Sequence, residues 1–329
     1  MKVSNLVKFK SISPSKGFYR NDLNEQSKKV YDLILDAVLN FKTEVKIPLD
    51  SSISVSDVLD CIHYDHPELY YFNVYECDLD TPPLSLGKSG IFKPAYNLVG
   101  DRILVEERVN KIVKDIASKN NTLMSRLVAI ANLFYEFEYD YEHMNRASVR
   151  DHSIYDPVMV KNGVCEGFSL LFKLLCSRLG IECICVEGIS GGGLHLWNAV
   201  EINGEIYHVD MTNSISTYSY QRKIKFADFV VPLAFLEDTE PYINLKADQV
   251  RYNPFVRLGH YIKDEIDLFN KLKEYAPKGK SFTLLYIGDP NNYPNPNISS
   301  NVQGIDGFFV VGRYYRFFVR ERIEEYRVE

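Results

Sequence analysis

Cys165 stands at the head of an apolar run, NGVCEGFSLLFKLLCSRLG over residues 162–180, whose spacing is helical. Cysteine is a mediocre helix former and no N-cap, and the first turn is where a side chain gains least from packing. What the position offers is chemistry. The first turn of a helix carries partial positive charge from unpaired N–H groups. A thiolate placed there is stabilised, and its pKa falls from about 8.5 toward 3.5–7.5. The same N–H groups can hold an oxyanion. Gly163 and Gly167 keep the backbone beside the sulfur accessible. The residue types and their order fit a nucleophile.

A thiol nucleophile needs a base, and the base needs orienting. Both are supplied by LHLWNAVEINGEIYHVDMT, residues 194–212. Asn203-Gly204 between two alternating runs is a hairpin turn. Ile202 then pairs with Glu205, Ala199 with His208, and Trp197 with Asp210. Side chains alternate between faces, so His195, Trp197, Ala199 and Glu201 share a face with Ile206, His208, Asp210 and Thr212. His195 and Asp210 are diagonal neighbours at about 7–8 Å, so an imidazole can meet a carboxylate that orients it. His208 shares the face, as a supporting group or a competing base. Trp197 either walls the site or packs across the hairpin. Asn198 and Tyr207 point to the other face and read as structural.

The elements around these groups must hold them in place. The helix after Cys165 turns Phe168, Leu171, Phe172, Leu175 and Leu179 to one side, and Gly180 sits at its C-terminal cap. IECICVEG is a strand, SGGG a turn, and RDHSIYDPVMVKNG a loop that delivers the chain to Cys165. Upstream, two helical stripes run through Val109, Ile112, Val113 and Ile116, and through Leu123, Leu127, Ile130, Ala131 and Phe134. Earlier still, Val30, Leu33, Ile34, Ala37, Val38 and Phe41 mark a helix. SVSDVLDCIHYDHPELYYFNVYE reads as a short helix, a turn at Pro67 and a strand, and YNLVG and RILVE as short strands. Downstream, FADFVVPLAFLED and DEIDLFNKLKEYA read as helices, SFTLLYIG as a strand, and FFVVGRYYRFFVRERI as one bent strand or a hairpin about Gly312. The charged end, FVRERIEEYRVE, reads as solvated.

Helix-borne cysteine, then strand-borne histidine, then strand-borne aspartate resembles the transglutaminase-like superfamily, whose core is papain-like. The resembling words are GVCEGFS, HLWNAV and GEIYHVDMT: a cysteine at a helix start, a His-x-Trp-Asn strand and a Tyr-x-x-Asp strand. The helices through YEFEYDYEH are also similar to lead-in helices of bacterial members, and YDHPELYYF to a segment ahead of the core in some of them. The resemblance covers about residues 106–215 well, 25–105 loosely and 216–329 hardly at all. It implies an α+β fold: a papain-like transglutaminase core, with the Cys helix packed on an antiparallel sheet bearing His and Asp, between N- and C-terminal α/β extensions. The expected division is a loose N-terminus over 1–24, an extension over 25–105, the catalytic core over 106–215 and a C-terminal α+β region over 216–329. By the same resemblance Cys165 is the nucleophile, His195 the base and acid, and Asp210 the group that orients His195.

Two positions depart from the pattern. Papain-like enzymes often carry a glutamine six residues before the cysteine as an oxyanion donor; Met159 stands there. Asn162 and Tyr155 are the nearby side chains able to substitute. Glu166 occupies a place where a neutral residue is common, and a carboxylate beside a thiolate should raise its pKa, opposing the helix. The implied activity is thiol-dependent acyl transfer at peptide or amide bonds. Water as acceptor gives a peptidase or amidase; an amine gives a cross-linking transglutaminase. Hydrolysis is favoured, because bacterial-looking members resemble proteases more often and no D-x-D-x-D-G calcium loop is present. A non-catalytic peptide-binding or scaffold protein on the same fold is the reading that Met159 and Glu166 keep open.

Composition narrows the rest. The chain has 329 residues, 46% hydrophobic and 25% charged, with net charge −6. Length allows two to three domains. An acidic balance gives nucleic acid no basic face. Six cysteines, at 61, 77, 165, 176, 183 and 185, are too sparse for a disulfide scaffold and form no C-x-x-C pair. No cofactor or metal is called for. Cys183 and Cys185 share a strand face as two buried thiols. His63, His66, His143, His152 and His260 show no partner pattern. The N-terminus lacks the apolar run of a signal peptide, and no run approaches the roughly 18 residues of a membrane span. The expectation is a cytoplasmic protein, or a secreted one whose leader has been removed, acting on a peptide or protein substrate.

Overall fold

The computed structural model describes residues 17–81, 89–143, 149–220, 224–236, 238–243, 245 and 249–319. The charged C-terminal end and most of the N-terminal tail lie outside them. Helices α1 (Phe18–Asp22) and α2 (Glu25–Leu39) lead into strand β1 (Val45–Pro48) and helix α3 (Val55–Asp65). Strands β2 (Asp78–Asp80) and β3 (Ser89–Lys93) complete a small sheet of order β1-β3-β2. Helices α4 (Arg102–Lys119) and α5 (Leu123–Phe134) follow, then strand β4 (Glu138–Tyr139), helix α6 (Tyr155–Val160) and strand β5 (Asn162–Gly163). Helix α7 (Cys165–Arg178) bears the cysteine. It precedes β6 (Cys183–Ser190), β7 (Gly193–Ile202), β8 (Glu205–Val209), α8 (Met211–Tyr220), β9 (Phe229–Val231) and β10 (Thr239–Pro241). The chain closes with α9 (Pro254–Arg257), β11 (Tyr261–Ile262), α10 (Glu265–Tyr275), β12 (Phe282–Tyr286), β13 (Ile305–Val311) and β14 (Tyr314–Val319). The class is α+β.

The central sheet is antiparallel, in the order β10-β6-β7-β8-β9. Its hairpin has the register that Asn203-Gly204 dictates: Ile202 faces Glu205 and Ala199 faces His208. Both turn residues are left-handed, φ 54° and 79°, as a tight hairpin turn requires. The sheet draws β9 and β10 from beyond residue 215. One apolar cluster runs from Tyr19 to Leu245 and unites the N-terminal helices with this sheet; a second surrounds Leu268, Leu284 and Phe317 on a sheet of order β11-β12-β14-β13.

Helix α7 is the axis of the first cluster. Every residue from Gly167 to Cys176 is buried, so it is a core helix rather than an amphipathic surface one. Phe134 of α5 meets Phe168 and Phe172 with ring centroids 5.9 and 6.0 Å apart. Each such side chain contributes about 1.5–3 kcal/mol by leaving water. Polar bonds fix α7 in rotation and height. Ser169 Oγ donates to Leu196 O at 2.8 Å, and Asn198 Nδ2 donates to Ser169 O at 3.0 Å and Ile184 O at 3.2 Å. Lys173, also buried, donates to Tyr64 O on α3. Gly180 closes the helix at φ 71°.

Several local expectations give way to tertiary context. RILVE opens the long helix α4 instead of forming a strand: only Val105 of it is buried, while Ile103 is 76% exposed. YNLVG contributes no named strand, and the aromatic run Tyr70–Tyr71–Phe72 buries its rings with a single bridge, Phe72 to Tyr96. FADFVVPLAFLED holds β9 and a 3-10 turn, not a helix, since Pro232 breaks the run and Phe226, Asp228 and Val230 adopt positive φ. RDHSIYDPVMVKNG carries the short helix α6, with Pro157 in its first turn where no N–H is needed. The last strand pair is a hairpin about Gly312. Cys183 and Cys185 are buried free thiols.

Candidate active site

Cys165 is the first residue of α7, after Val164, whose side chain makes no capping bond. The helix N–H groups beside the sulfur are therefore left for another acceptor. His195 lies on β7 and Asp210 at the end of β8, and His195 Nε2 meets Asp210 Oδ2 at 2.8 Å. That leaves Nδ1 for the thiol, which lies close enough to influence the charge on the imidazole. Burial disfavours charge on the imidazole, but Asp210 outweighs it and pushes His195 up to about 10, with Cys165 adding to the rise. At neutral pH the ring is an imidazolium wedged between carboxylate and sulfur. Asp210 is held in turn: Oδ1 accepts from Asn213 N at 3.0 Å at the start of α8, and its own N–H donates to Asp228 O at 2.8 Å.

Trp197 and His208 sit beneath this line. The Trp197 indole stacks under His195 at 5.8 Å and 20°, and it is fully buried. Its Nε1 donates to His208 Nδ1 at 2.8 Å. His208 is thus an acceptor inside the core, and burial pulls it down to about 4. A neutral, buried ring already bonded to tryptophan does not compete with His195 for the thiol. Trp197 is the floor under the imidazole.

Tyr155 does not reach the thiol: its hydroxyl donates to Asp101 Oδ2 at 2.6 Å, at the head of α4. Asn162 lies three residues before Cys165 on β5, and its Oδ1 is buried without a hydrogen-bond partner among the described residues. Met159 offers no donor; its carbonyl accepts from Arg108 at 2.8 Å. The group that does stand at the sulfur is Tyr139, which the sequence reading missed. Its strand β4 pairs in parallel with β5, Tyr139 beside Gly163. Its hydroxyl lies close enough to Cys165 for the two groups to influence each other's charge. Burial, reinforced by Cys165, pushes this phenol up, so it remains a donor. No local pattern in YEFEYDYEH singles out one of its three tyrosines; only the pairing of β4 with β5 does.

Glu166 is the second departure, and the structure gives its carboxylate three partners. Its carboxylate turns away from solvent and meets His63 Nε2 at 2.8 Å, His152 Nδ1 at 2.6 Å and the Tyr75 hydroxyl at 2.7 Å. Burial alone would raise it; bonds from His152 and His63 hold it down at about 2. The same carboxylate raises His152 against the opposing effect of burial. The carboxylate next to Cys165 is thus engaged by two imidazoles and a phenol rather than facing the sulfur alone. His63 and His152, which show no partner in sequence, bring α3 and the 149–154 loop onto the first turn of α7. His143 likewise pairs with Asp140 and His66 with Glu68. Among the described residues no helix is long and apolar enough to cross a membrane.

A cysteine at a helix start facing a strand-borne histidine and aspartate, in an α+β frame, is the arrangement of the transglutaminase-like superfamily, whose family model matches residues 110–211. That match spans about a third of the chain and coincides with the helices and strands that position Cys165, His195 and Asp210. Kyphoscoliosis peptidase of Mus musculus is 27% identical over 166 residues, 43% of this chain and 24% of that protein. Its Homo sapiens counterpart is 24% identical over 167 residues, 44% and 25% of the two chains. The chain spans about a quarter of the length of these relatives. Among solved structures, a TGase shares 17% identity and a TM-score of 0.33, covering 56% of this chain and 54% of its own. A candidate cysteine protease from Cytophaga hutchinsonii shares 18% identity and a TM-score of 0.28, covering 42% and 61%.

Proposed function

We propose that the chain is a thiol-dependent acyl-transfer enzyme that hydrolyses peptide or amide bonds through Cys165. The observation that carries this reading is His195 bonded to Asp210 and close to Cys165, which stands at the uncapped N-terminus of α7. The Cys165 sulfur, as thiolate, adds to the carbonyl carbon of the scissile bond. The carbonyl oxygen becomes an oxyanion, for which the Cys165 N–H and the Tyr139 hydroxyl are the donors. His195 gives its proton to the departing amine nitrogen, and the C–N bond breaks, leaving a thioester. His195, now neutral, takes a proton from water as its oxygen attacks the thioester, and the acid leaves with the thiolate restored. Asp210 keeps Nδ1 of His195 aimed at sulfur throughout.

The test combines alkylation with turnover. Iodoacetamide labelling of Cys165, read by mass spectrometry across pH, should be fast well below pH 7 in the wild type and slow in His195→Ala. Tyr139→Phe should leave labelling intact yet lower kcat/KM on a peptide substrate by about 10²–10³. Asp210→Asn should lower kcat by about 10⁴. A labelling profile centred near the free-thiol value of about 8.5 and unmoved by His195→Ala would turn the reading toward a binding protein. Incorporation of a primary amine in preference to water would turn it toward cross-linking.

A further inference from the structure

A second cluster of ligating side chains lies beside the thiol but outside its reaction path. Asp140, His143 and Asp151 bring one donor atom each to within 4.8 Å of the others. Asp140 directly follows Tyr139 at the exit of β4. Asp151 lies on the loop that packs against the first turn of α7, where its carbonyl would sit 2.3 Å from any Cβ placed on Gly167. His143 Nδ1 already meets Asp140 Oδ2 at 2.7 Å, so these two side chains converge.

Asp151 is the decisive member. It is 3% exposed, and its Oδ2 has no hydrogen-bond partner among the described residues. A buried carboxylate left uncompensated is strongly unfavourable, and buried polar atoms in folded proteins are nearly always satisfied. Glu166, fifteen residues further along, shows how this fold treats a buried carboxylate when it has only protein to use: it supplies three donors. Asp151 receives none of them and points at a histidine and a second aspartate instead.

We infer that Asp140, His143 and Asp151 form a binding site for a divalent transition cation of the Zn²⁺ kind, which staples the β4 exit to the loop against the catalytic helix. Two carboxylates with one imidazole favour such a cation over Ca²⁺ or Mg²⁺, which prefer oxygen alone. Bonds of about 2.0–2.2 Å place donor pairs about 3.3–3.6 Å apart around a tetrahedral ion, within small side-chain rotations of the observed cluster. The remaining positions of the ion go to water. Sequence spacing could not announce it, because D-x-x-H followed by a distant aspartate is no known motif. The site is independent of the thiol chemistry, and either can fail alone.

The test uses the full chain carrying Cys165→Ala, so that sulfur and His195 cannot capture the ion. After chelator treatment it is titrated with ZnCl₂, MnCl₂ and CaCl₂ by calorimetry and by thermal melting. One Zn²⁺ per chain is expected, with Mn²⁺ weaker and Ca²⁺ weaker still, and the Tm should rise by several degrees on saturation. Asp151→Asn should weaken Zn²⁺ binding at least about tenfold while its metal-free Tm is not lowered, since the orphan charge is gone. His143→Ala, at a half-exposed position, should lose binding and stay folded. No heat and no Tm shift with Zn²⁺ would overturn the assignment. So would a shift that both variants retain, or a response to Ca²⁺ alone.

Discussion

His195 and Glu166 are held in opposite charge states by neighbours that burial alone would not allow, and each sets one limb of the pH dependence of stability. The folded pKa of His195, about 10, lies above its ordinary 6.5. Its contribution is complete below 6.5 and is lost as pH rises toward 10. Glu166 is depressed from 4.5 to about 2, so its contribution is complete above 4.5 and is lost as pH falls toward 2. His208, pulled down from 6.5 to about 4, withdraws stability as pH falls below 6.5, so thermal melts should be most favourable near the upper end of about pH 4.5–6.5. In His195→Ala the alkaline limb should flatten. In Glu166→Ala the acid limb should flatten, and stability should drop by about 3–5 kcal/mol, because the raised imidazole of His152 loses its buried partner. Unaltered limbs would mean that other groups govern the profile. At this scale the sequence was legible for Cys165, His195 and Asp210, because all three follow from a helix start and a two-residue turn. It was silent on Tyr139, His63 and His152, whose partners are brought near only by tertiary packing.

Among the elements, the β7–β8 hairpin and helix α7 carry the site, and they differ in how they were readable. Asn203-Gly204 sets the hairpin register by counting alone, so the faces of His195, Trp197 and Asp210 come from local sequence. RILVE misleads because β-branched and aliphatic residues side by side look like a strand, while the helix they begin is defined by Val105, Val109 and Ile116, spread over its whole length. Tyr155 misleads for another reason: proximity in sequence to Cys165 does not matter once Asp101, far upstream, accepts its hydroxyl. The contact of α7 with the 149–154 loop depends on one small residue. A Cβ at Gly167 would lie 2.3 Å from Asp151 O and 2.7 Å from Ser153 O, both backbone atoms. Gly167→Ala should push that loop off the first turn, separate His152 from Glu166, and slow both labelling and turnover at Cys165. Full activity with an unshifted melt would show that the loop is free to yield.

The described residues form three apolar clusters, and a chain of hydrogen bonds ties Asp210 to the C-terminal sheet. Asp228 receives the Asp210 N–H on its carbonyl, while its own N–H donates to the Tyr314 hydroxyl at 2.9 Å on the C-terminal sheet. A third small cluster, with Ile224, Ala227, Phe255, Leu285 and Tyr314, fills the seam. Tyr314→Phe leaves the Asp228 N–H buried without an acceptor and should destabilise by about 1–3 kcal/mol. Because Asp228 also anchors Asp210, kcat should fall with it; a lower Tm at constant kcat would show that the coupling ends at Asp228. Helix α7, buried from Gly167 to Cys176, has a further consequence in time rather than space. Its amides can meet deuterated solvent only when the whole body opens. They should be the last to exchange, at the rate at which heat unfolds the protein, so the helix that bears Cys165 is the clock by which the molecule's lifetime can be read.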